Sequence, residues 1–243
     1  MISFEGRLAF ASDPTPNGVR ILRFEPTGDP FPLHHAGQYA LLEFPSFSPR
    51  PYSVANAANG HTLEFHVRSG HSGAGAYATS ELKTGDVIPI SGYGGGCLYQ
   101  ADCTHPLLLV AGGTGLAPLL AIMEQALIDA PERPVMIYHG GRSKSDLYAH
   151  QKLEELTHIF PSLSYSPVLS HDEEGGIAHG LVGDVALSQR DDFSMLRLYC
   201  SGPVEMMRHT QDLALSFGVH PDFIHSDLQE FPLPLPKEVP HER

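Results

Sequence analysis

Four consecutive residues, Arg50-Pro51-Tyr52-Ser53, put a cation, a flat aromatic face and a small hydroxyl side by side. Such a run is either the start of a strand or a place where all three groups meet one planar, phosphate-bearing ligand. Two glycine-rich runs offer complementary chemistry. In "VAGGTGLAPLL" (110–120) an apolar strand ends at Ala111, and Gly112, Gly113 and Gly115 form a turn around Thr114. A helix then begins near Leu116 with Pro118 in its first turn, where proline is tolerated. Glycines let backbone approach a phosphate, and the unpaired N–H groups of a helix start attract anions. The same residues also suit a tight strand–helix turn with no ligand, and the spacing is neither a P-loop nor a regular G-x-G-x-x-G. "SGHSGAGAYA" (69–78) precedes a short predicted helix, "ATSEL", and reads as either an anion cradle built from Ala74, Gly75 and Ala76 or a flexible loop. "YCSGPVEMM" (199–207) is a strand end followed by a helix, either a plain turn or a wall of a cleft bearing Cys200 and Ser201.

The elements that must position these groups follow two grammars. Residues 1–102 carry short runs with glycine or proline at their ends: "GVRILRF" (18–24), "GQYALLEF" (37–44), "HTLEFHV" (61–67) and "GDVIPIS" (85–91). Their alternation and spacing predict a small antiparallel β-barrel or sandwich. From 103 to 230 the pattern becomes strand then helix, repeatedly. "PLLLVA" (106–111) is a continuous apolar run, as a parallel strand covered on both faces requires. It is followed by "LAPLLAIMEQALIDA" (116–130) with helical spacing, and three further strand–helix units lead to a last strand, "DFIHSD". This predicts a doubly wound parallel sheet, with ligands in the cleft at the carboxyl ends of its strands. Residues 231–243 hold too many prolines for helix or sheet and read as an extended tail.

Composition narrows the chemistry. The net charge of −13 leaves few cations for a nucleic-acid or anionic-membrane face. No apolar run reaches the ~18–20 residues of a membrane span. The start, "MISFEGRLAF", lacks a secretion signal, so the cytoplasm is the expected location. Three cysteines, Cys97, Cys103 and Cys200, show neither a C-x2-C pair nor the spacing of a plant-type iron–sulfur centre. They read as reduced thiols, with no metal site.

Taken in order, "RPYS", "GHSGAGAY", "GGTGLAPL", "YHGGRSKSDLY" and "YCSGPVEMM" resemble the ferredoxin–NADP reductase superfamily over nearly the whole chain. The resemblance in style is to flavin reductases and to the reductase components of bacterial oxygenases. It implies an FAD-binding barrel and an NAD(P)-binding α/β domain. Arg50 would pair with the flavin pyrophosphate, Tyr52 would lie against the isoalloxazine, and Ser53 would place its hydroxyl near the flavin N5. Pro51, His66, Val67, Ala74, Gly75 and Ala76 complete the implied flavin contacts. Gly112, Gly113, Thr114, Gly115, Gly141, Arg142, Gly202 and Pro203 would hold the dinucleotide. Ser53, Ser201 and Cys200 are the residues implied beside the hydride. The chain departs from the family at Gly75, where Ser or Thr is frequent, and at Ser201, where many relatives have Cys, with Cys200 one position away. Phe231 is the candidate for the aromatic residue that many relatives place over the flavin.

The expected function is that of a flavoprotein reductase taking a hydride from NADH, less readily from NADPH. Electrons would pass to a separate acceptor: free flavin, ferric iron, a ferredoxin or an oxygenase component. The alternative is an electron-transfer or regulatory subunit without independent turnover. Arg142 and Lys144 could meet a 2′-phosphate, but Asp146 follows them, and Ser170-His171 is succeeded by Asp172, Glu173 and Glu174. Those carboxylates would repel the phosphate and could accept hydrogen bonds from the ribose of NADH, or "HDEEGG" is a solvated loop tip too far away to act on either.

Overall fold

A computed structural model of the protein describes residues 3–70, 72–188, 193 and 195–229. The expected tail and Phe231 lie outside the described residues.

The first half forms an antiparallel sheet of six strands in the order β4-β3-β6-β1-β2-β5. These are β1 (Ser3–Ala11), β2 (Val19–Pro26), β3 (Tyr39–Leu42), β4 (Arg50–Ser53), β5 (Leu63–Arg68) and β6 (Val87–Gly94). The sheet curls until its two outer strands meet at an antiparallel bridge between Val54 and Phe65, so the barrel is nearly closed. Leu8, Leu22, Phe24, Leu42, Phe65 and Ile90 fill its interior. The predicted strands are present, β1 was not predicted, and of the two readings of the "RPYS" run the strand is present. β1 occupies the middle of the sheet, paired on both sides with β2 and β6. The "RPYS" run is itself strand β4, hydrogen-bonded to β3.

Between β5 and β6 lies α1 (Ala74–Ser80). It starts four residues earlier than "ATSEL" suggested, because the glycine-rich run supplies its first turn, with Gly73 at φ 88° as the preceding cap. Arg20 of β2 donates to the carbonyls of Ala78 (3.1 Å) and Leu82 (2.8 Å), which ties the end of α1 to the barrel.

The second half is a parallel sheet in the order β10-β9-β8-β7-β11-β12. Its strands are β7 (Leu107–Gly112), β8 (Val135–Gly141), β9 (Leu163–Leu169), β10 (Ala178–His179), β11 (Arg197–Ser201) and β12 (Ile224–Ser226). Helices α2 (Leu116–Asp129) and α3 (His150–Ile159) cover one face, and α4 (Val182–Ser188) and α5 (Val204–Ser216) the other. Strand periodicity explains why β7 is wholly apolar. Leu107, Leu109 and Ala111 point into the α2/α3 layer, and Leu108 and Val110 into the α4/α5 layer. Among the described residues no helix is long and apolar enough to cross a membrane.

Candidate functional site

A cavity of about 840 Å³ opens between the barrel and the carboxyl ends of the parallel strands. The barrel contributes Pro51, Tyr52, Ser53, His66 and Arg68 to its walls. From the α/β half, the turn Gly112–Gly115, the end of β8 at Gly140, Gly141 and Arg142, and the turn Ser201–Pro203 face the same space. Four of the five sequence motifs therefore converge on one cleft.

On the barrel side, Phe44 organises the wall. Tyr52 packs edge-on against it at 6.0 Å and Tyr77 of α1 lies 5.9 Å away, so one ring brings β4 and the start of α1 together. Burial raises the Tyr52 phenol above its ordinary pKa, partly offset by Arg50, and keeps the ring neutral. Arg50 is exposed at the head of β4 and makes no ion pair among the described residues, so its guanidinium is available to an anion. The first turn of α1 holds no acidic residue and no side-chain cap. Its N–H groups at Ala74, Gly75 and Ala76 are left to the backbone of a ligand-sized anion or to solvent. Arg50, Ala74, Gly75 and Ala76 are not among the residues that line the cavity, whereas Tyr52 is; a cation, an aromatic face and uncapped helix N–H groups are together the chemistry that suits a flavin nucleotide. The Val67 side chain is 1% exposed in the barrel core and its backbone pairs with Arg20, so any contact it makes with a ligand is through its backbone.

The glycines divide by physical reason. A Cβ on Gly115 would meet the Ser201 carbonyl oxygen at 2.3 Å, so this glycine exists to let the two turns pack backbone to backbone. Gly113 differs: its φ of +54° is left-handed, and the nearest atom to a Cβ there is a guanidinium nitrogen of Arg68 at 3.7 Å. Of the three glycines in this turn, Gly113 is the one shaped by conformation rather than by a neighbouring chain segment. Its carbonyl accepts from Leu116 N–H and lies 3.2 Å from His139 Nε2.

Ser201 is buried at the end of β11 and lines the cavity, as expected. Cys200 does not. The two-residue period of β11 turns it into the α4/α5 layer, where it is 0% exposed. Burial, with Asp227 adding to it, pushes its thiol up to about 12. It is a packing residue, and its assignment beside the chemistry is withdrawn.

Cross-domain polar contacts that no local motif announces frame the cleft. Arg68 Nη2 lies 3.2 Å from Asp146 Oδ1, and Asn17 Nδ2 donates to the same oxygen at 2.7 Å. Asp146 Oδ2 accepts from the backbone N–H groups of Arg142 (2.9 Å) and Ser143 (3.2 Å), so Asp146 builds the loop that holds Arg142. Burial opposes its charge, but these two N–H groups and the arginines prevail and lower its pKa. Deeper in, His66 Nε2 lies 2.9 Å from Glu64 and its Nδ1 2.7 Å from the Tyr148 hydroxyl. Burial disfavours ionised Glu64, yet His66, Lys152 and Arg23 win and pull it down to about 2. A carboxylate only accepts, so His66 carries its proton on Nε2 and accepts a hydrogen bond from the Tyr148 hydroxyl at Nδ1. Arg68 and Tyr148 were not singled out from sequence as site residues, and Asp146 was named only for its bearing on a 2′-phosphate. The one available hint was a cation, Arg68, at the end of an apolar strand.

Among known proteins, residues 109–212 match the oxidoreductase NAD-binding domain family. The ferredoxin–NAD(P)+ reductase component of the Pseudomonas putida naphthalene 1,2-dioxygenase system is 33% identical over 92% of this chain and 68% of its own length. The corresponding component of the Ralstonia naphthalene 1,2-dioxygenase/salicylate 5-hydroxylase systems is 34% identical, and the match spans only 59% of its length. An NAD(P)H-flavin reductase of Vibrio harveyi is 30% identical over 70% of this chain and 76% of that protein. Of solved structures, the Amycolatopsis cytochrome P450 reductase GcoB superposes with a TM-score of 0.84 at 28% identity, covering 93% of this chain and 69% of that one. Barrel, parallel sheet, cleft and relatives agree: the chain belongs to the ferredoxin–NADP reductase superfamily.

Proposed function

We propose that this protein is an FAD-dependent reductase that draws a hydride from NADH and passes electrons to a separate acceptor. The observation that carries the reading is the shared cleft. The Tyr52–Ser53 end of β4 and the Gly112–Gly115 turn belong to different halves of the chain yet line one cavity. Bound there, a flavin supplies the redox chemistry, accepting a hydride and releasing electrons singly or in pairs.

The protein's own residues bind, orient and exclude. Arg50 offers charge to a pyrophosphate, and Tyr52 offers a neutral apolar face to a ring system. Ser53 presents a hydroxyl at the cleft wall, and Ser201 lies buried opposite it on the strand that pairs with β7. Hydride transfer needs the reacting atoms about 3–3.5 Å apart, so the rigidity of both walls is the protein's main contribution to rate.

The loops beyond β8 and β9 support a preference for NADH. Lys144 is engaged by Glu174 at 2.5 Å, which neutralises one of the two cations available to a 2′-phosphate. Asp146 is consumed in holding its own loop and Arg68. The Arg142 side chain is 74% exposed and lies 3.9 Å from Asp146, so it too is partly committed to that carboxylate.

For the acceptor, the net charge of −13 disfavours docking an acidic ferredoxin unless a local basic patch intervenes. A free flavin or ferric complex needs no extended docking surface and brings far less negative charge to it. The test is a steady-state assay with NADH against free FMN, ferric citrate, a ferredoxin and cytochrome c. Turnover with none of them would contradict the reading.

A further inference from the structure

His139 stands where β8 reaches the cleft, 0% exposed, and no motif assigns it a role. It pairs with Ala111 in the ladder, directly beneath the Gly112–Gly115 turn. Its Nε2 lies 3.2 Å from the carbonyl oxygen of Gly113, and its Nδ1 has no hydrogen-bond partner among the described residues. A carbonyl only accepts, so the contact is a hydrogen bond only with the proton on Nε2. Burial pulls the imidazole down to about 4, so it is neutral near pH 7 and Nδ1 carries a bare lone pair. Leaving that nitrogen unpaired in the interior costs free energy. Nδ1 gains nothing from its surroundings, so the Nε2 bond is the polar purpose the residue serves.

That bond acts on the most deformable peptide in the site. Gly113 has a left-handed φ of +54° and no Cβ, so its own side of the peptide that joins it to Thr114 is free of side-chain restraint. Both acceptor positions of the Gly113 oxygen are filled, one by the Leu116 N–H and one by His139. In a trans peptide the C=O and the following N–H point in opposite directions. Holding the Gly113 oxygen down onto His139 therefore holds the Thr114 N–H up, and Thr114 lines the cleft. That N–H belongs to the first turn leading into α2, where no intrahelical acceptor exists for it. Tyr148 buttresses the arrangement. Its ring meets His139 edge-on at 5.6 Å and His66 at 5.3 Å, so the turn is braced against the barrel.

We infer that His139 is a positioning residue for dinucleotide binding: by pinning the Gly113 carbonyl it presents the Thr114 N–H to the phosphate of the nicotinamide nucleotide. The inference rests on the dinucleotide reading of the cleft.

The test uses the full chain with its flavin and measures NAD+ binding by calorimetry for the parent, His139→Phe and His139→Gln. Phe keeps the ring contact with Tyr148 and loses the donor. Gln restores an N–H at a similar reach. The expected result is NAD+ binding weakened about tenfold in His139→Phe and recovered to within about threefold in His139→Gln, as one N–H bond to a charged group implies. FAD content should be unchanged in both. In steady state KM for NADH should rise with kcat at saturation nearly unchanged, the mark of lost ground-state binding. Should His139→Phe fail to fold, the parent still decides: in amide-resolved NMR the Thr114 N–H must shift strongly as NAD+ saturates. Equal NAD+ affinity in parent and His139→Phe, no recovery in His139→Gln, or an unmoved Thr114 amide would overturn the inference alone. A parent that binds no dinucleotide would overturn the function reading and the inference with it.

Discussion

Glu64 of the barrel and His66, two residues along the same strand, form a buried 2.9 Å contact that reaches across the domain seam through Tyr148. Lys152 of α3 approaches the same carboxylate at 3.7 Å from the other domain, and Arg23 from the barrel. One ionised carboxylate therefore collects partners from both halves of the molecule, and its protonation state governs how firmly they are joined.

Glu64 gives the acid limit of stability. Burial alone would raise its pKa, but His66, Lys152 and Arg23 hold it at about 2 against an ordinary value of 4.5. A depressed carboxyl stabilises the fold above its unfolded pKa and loses that contribution as pH falls through its folded one. Between about pH 4.5 and pH 2 the protein should lose on the order of 2–3 kcal/mol from this group. Glu64→Gln should be less stable than the parent near pH 7 and show a flatter decline over that window. Thermal melts at stepped pH check this, and an unchanged slope in the variant would count against it.

Arg50 is predicted to hold flavin rather than fold. It is exposed on β4 and unpaired by any ion bridge among the described residues. Arg50→Ala should leave the melting temperature nearly unchanged and weaken FAD binding by about 1.5–3 kcal/mol, roughly ten- to a hundredfold. Fluorescence titration of apoprotein with FAD reads the effect. Parental affinity in the variant would remove Arg50 from the site.

Ser53 is predicted to affect rate more than binding. It lines the cavity directly after Tyr52. Ser53→Ala should slow flavin reduction by NADH on the order of tenfold to a thousandfold, the cost of one preorganised donor. FAD affinity should change little. Stopped-flow reduction at the parental rate would deny the residue this part.

Pyridine-nucleotide choice turns on the Lys144–Glu174 pair. The parent should prefer NADH over NADPH by about tenfold or more in kcat/KM, since unpaired carboxylates repel a 2′-phosphate carrying roughly −1.5 to −2 charges. Glu174→Ala frees Lys144 and should raise kcat/KM for NADPH several-fold, about 1 kcal/mol in an exposed setting, with NADH little affected. Equal use of both nucleotides by the parent would place the acidic loop away from the ribose.

The architecture was legible because its signals are local. Strand β7 is apolar at every position, and the change from alternating short runs to strand–helix units marks the passage from barrel to parallel sheet. β1 was not legible. Its charged residues Glu5 and Arg7 alternate with Gly6 and Leu8, and glycine hides the buried side of the pattern. The start of α1 was obscured in the same way, because helix formers and glycine share one run, "AGAYATS". At the site, the motifs named the walls of the cleft but not what holds them. Arg68 finds Asp146 at 78 positions' distance, and His66 finds Tyr148 at 82, so no window of sequence contains either pair. Cys200 stands one residue of strand phase from Ser201, which alone says that its side chain faces away from the cleft, and it does.

The most direct measurement of the central claim is anaerobic stopped-flow mixing of the FAD-loaded protein with NADH, following flavin absorbance near about 450 nm. If the cleft brings nicotinamide and flavin together, the yellow colour bleaches within seconds, and Ser53→Ala slows the bleaching while the flavin stays bound. An FAD-loaded parent whose colour persists for minutes under excess NADH would contradict the account and leave a flavin-binding subunit without turnover.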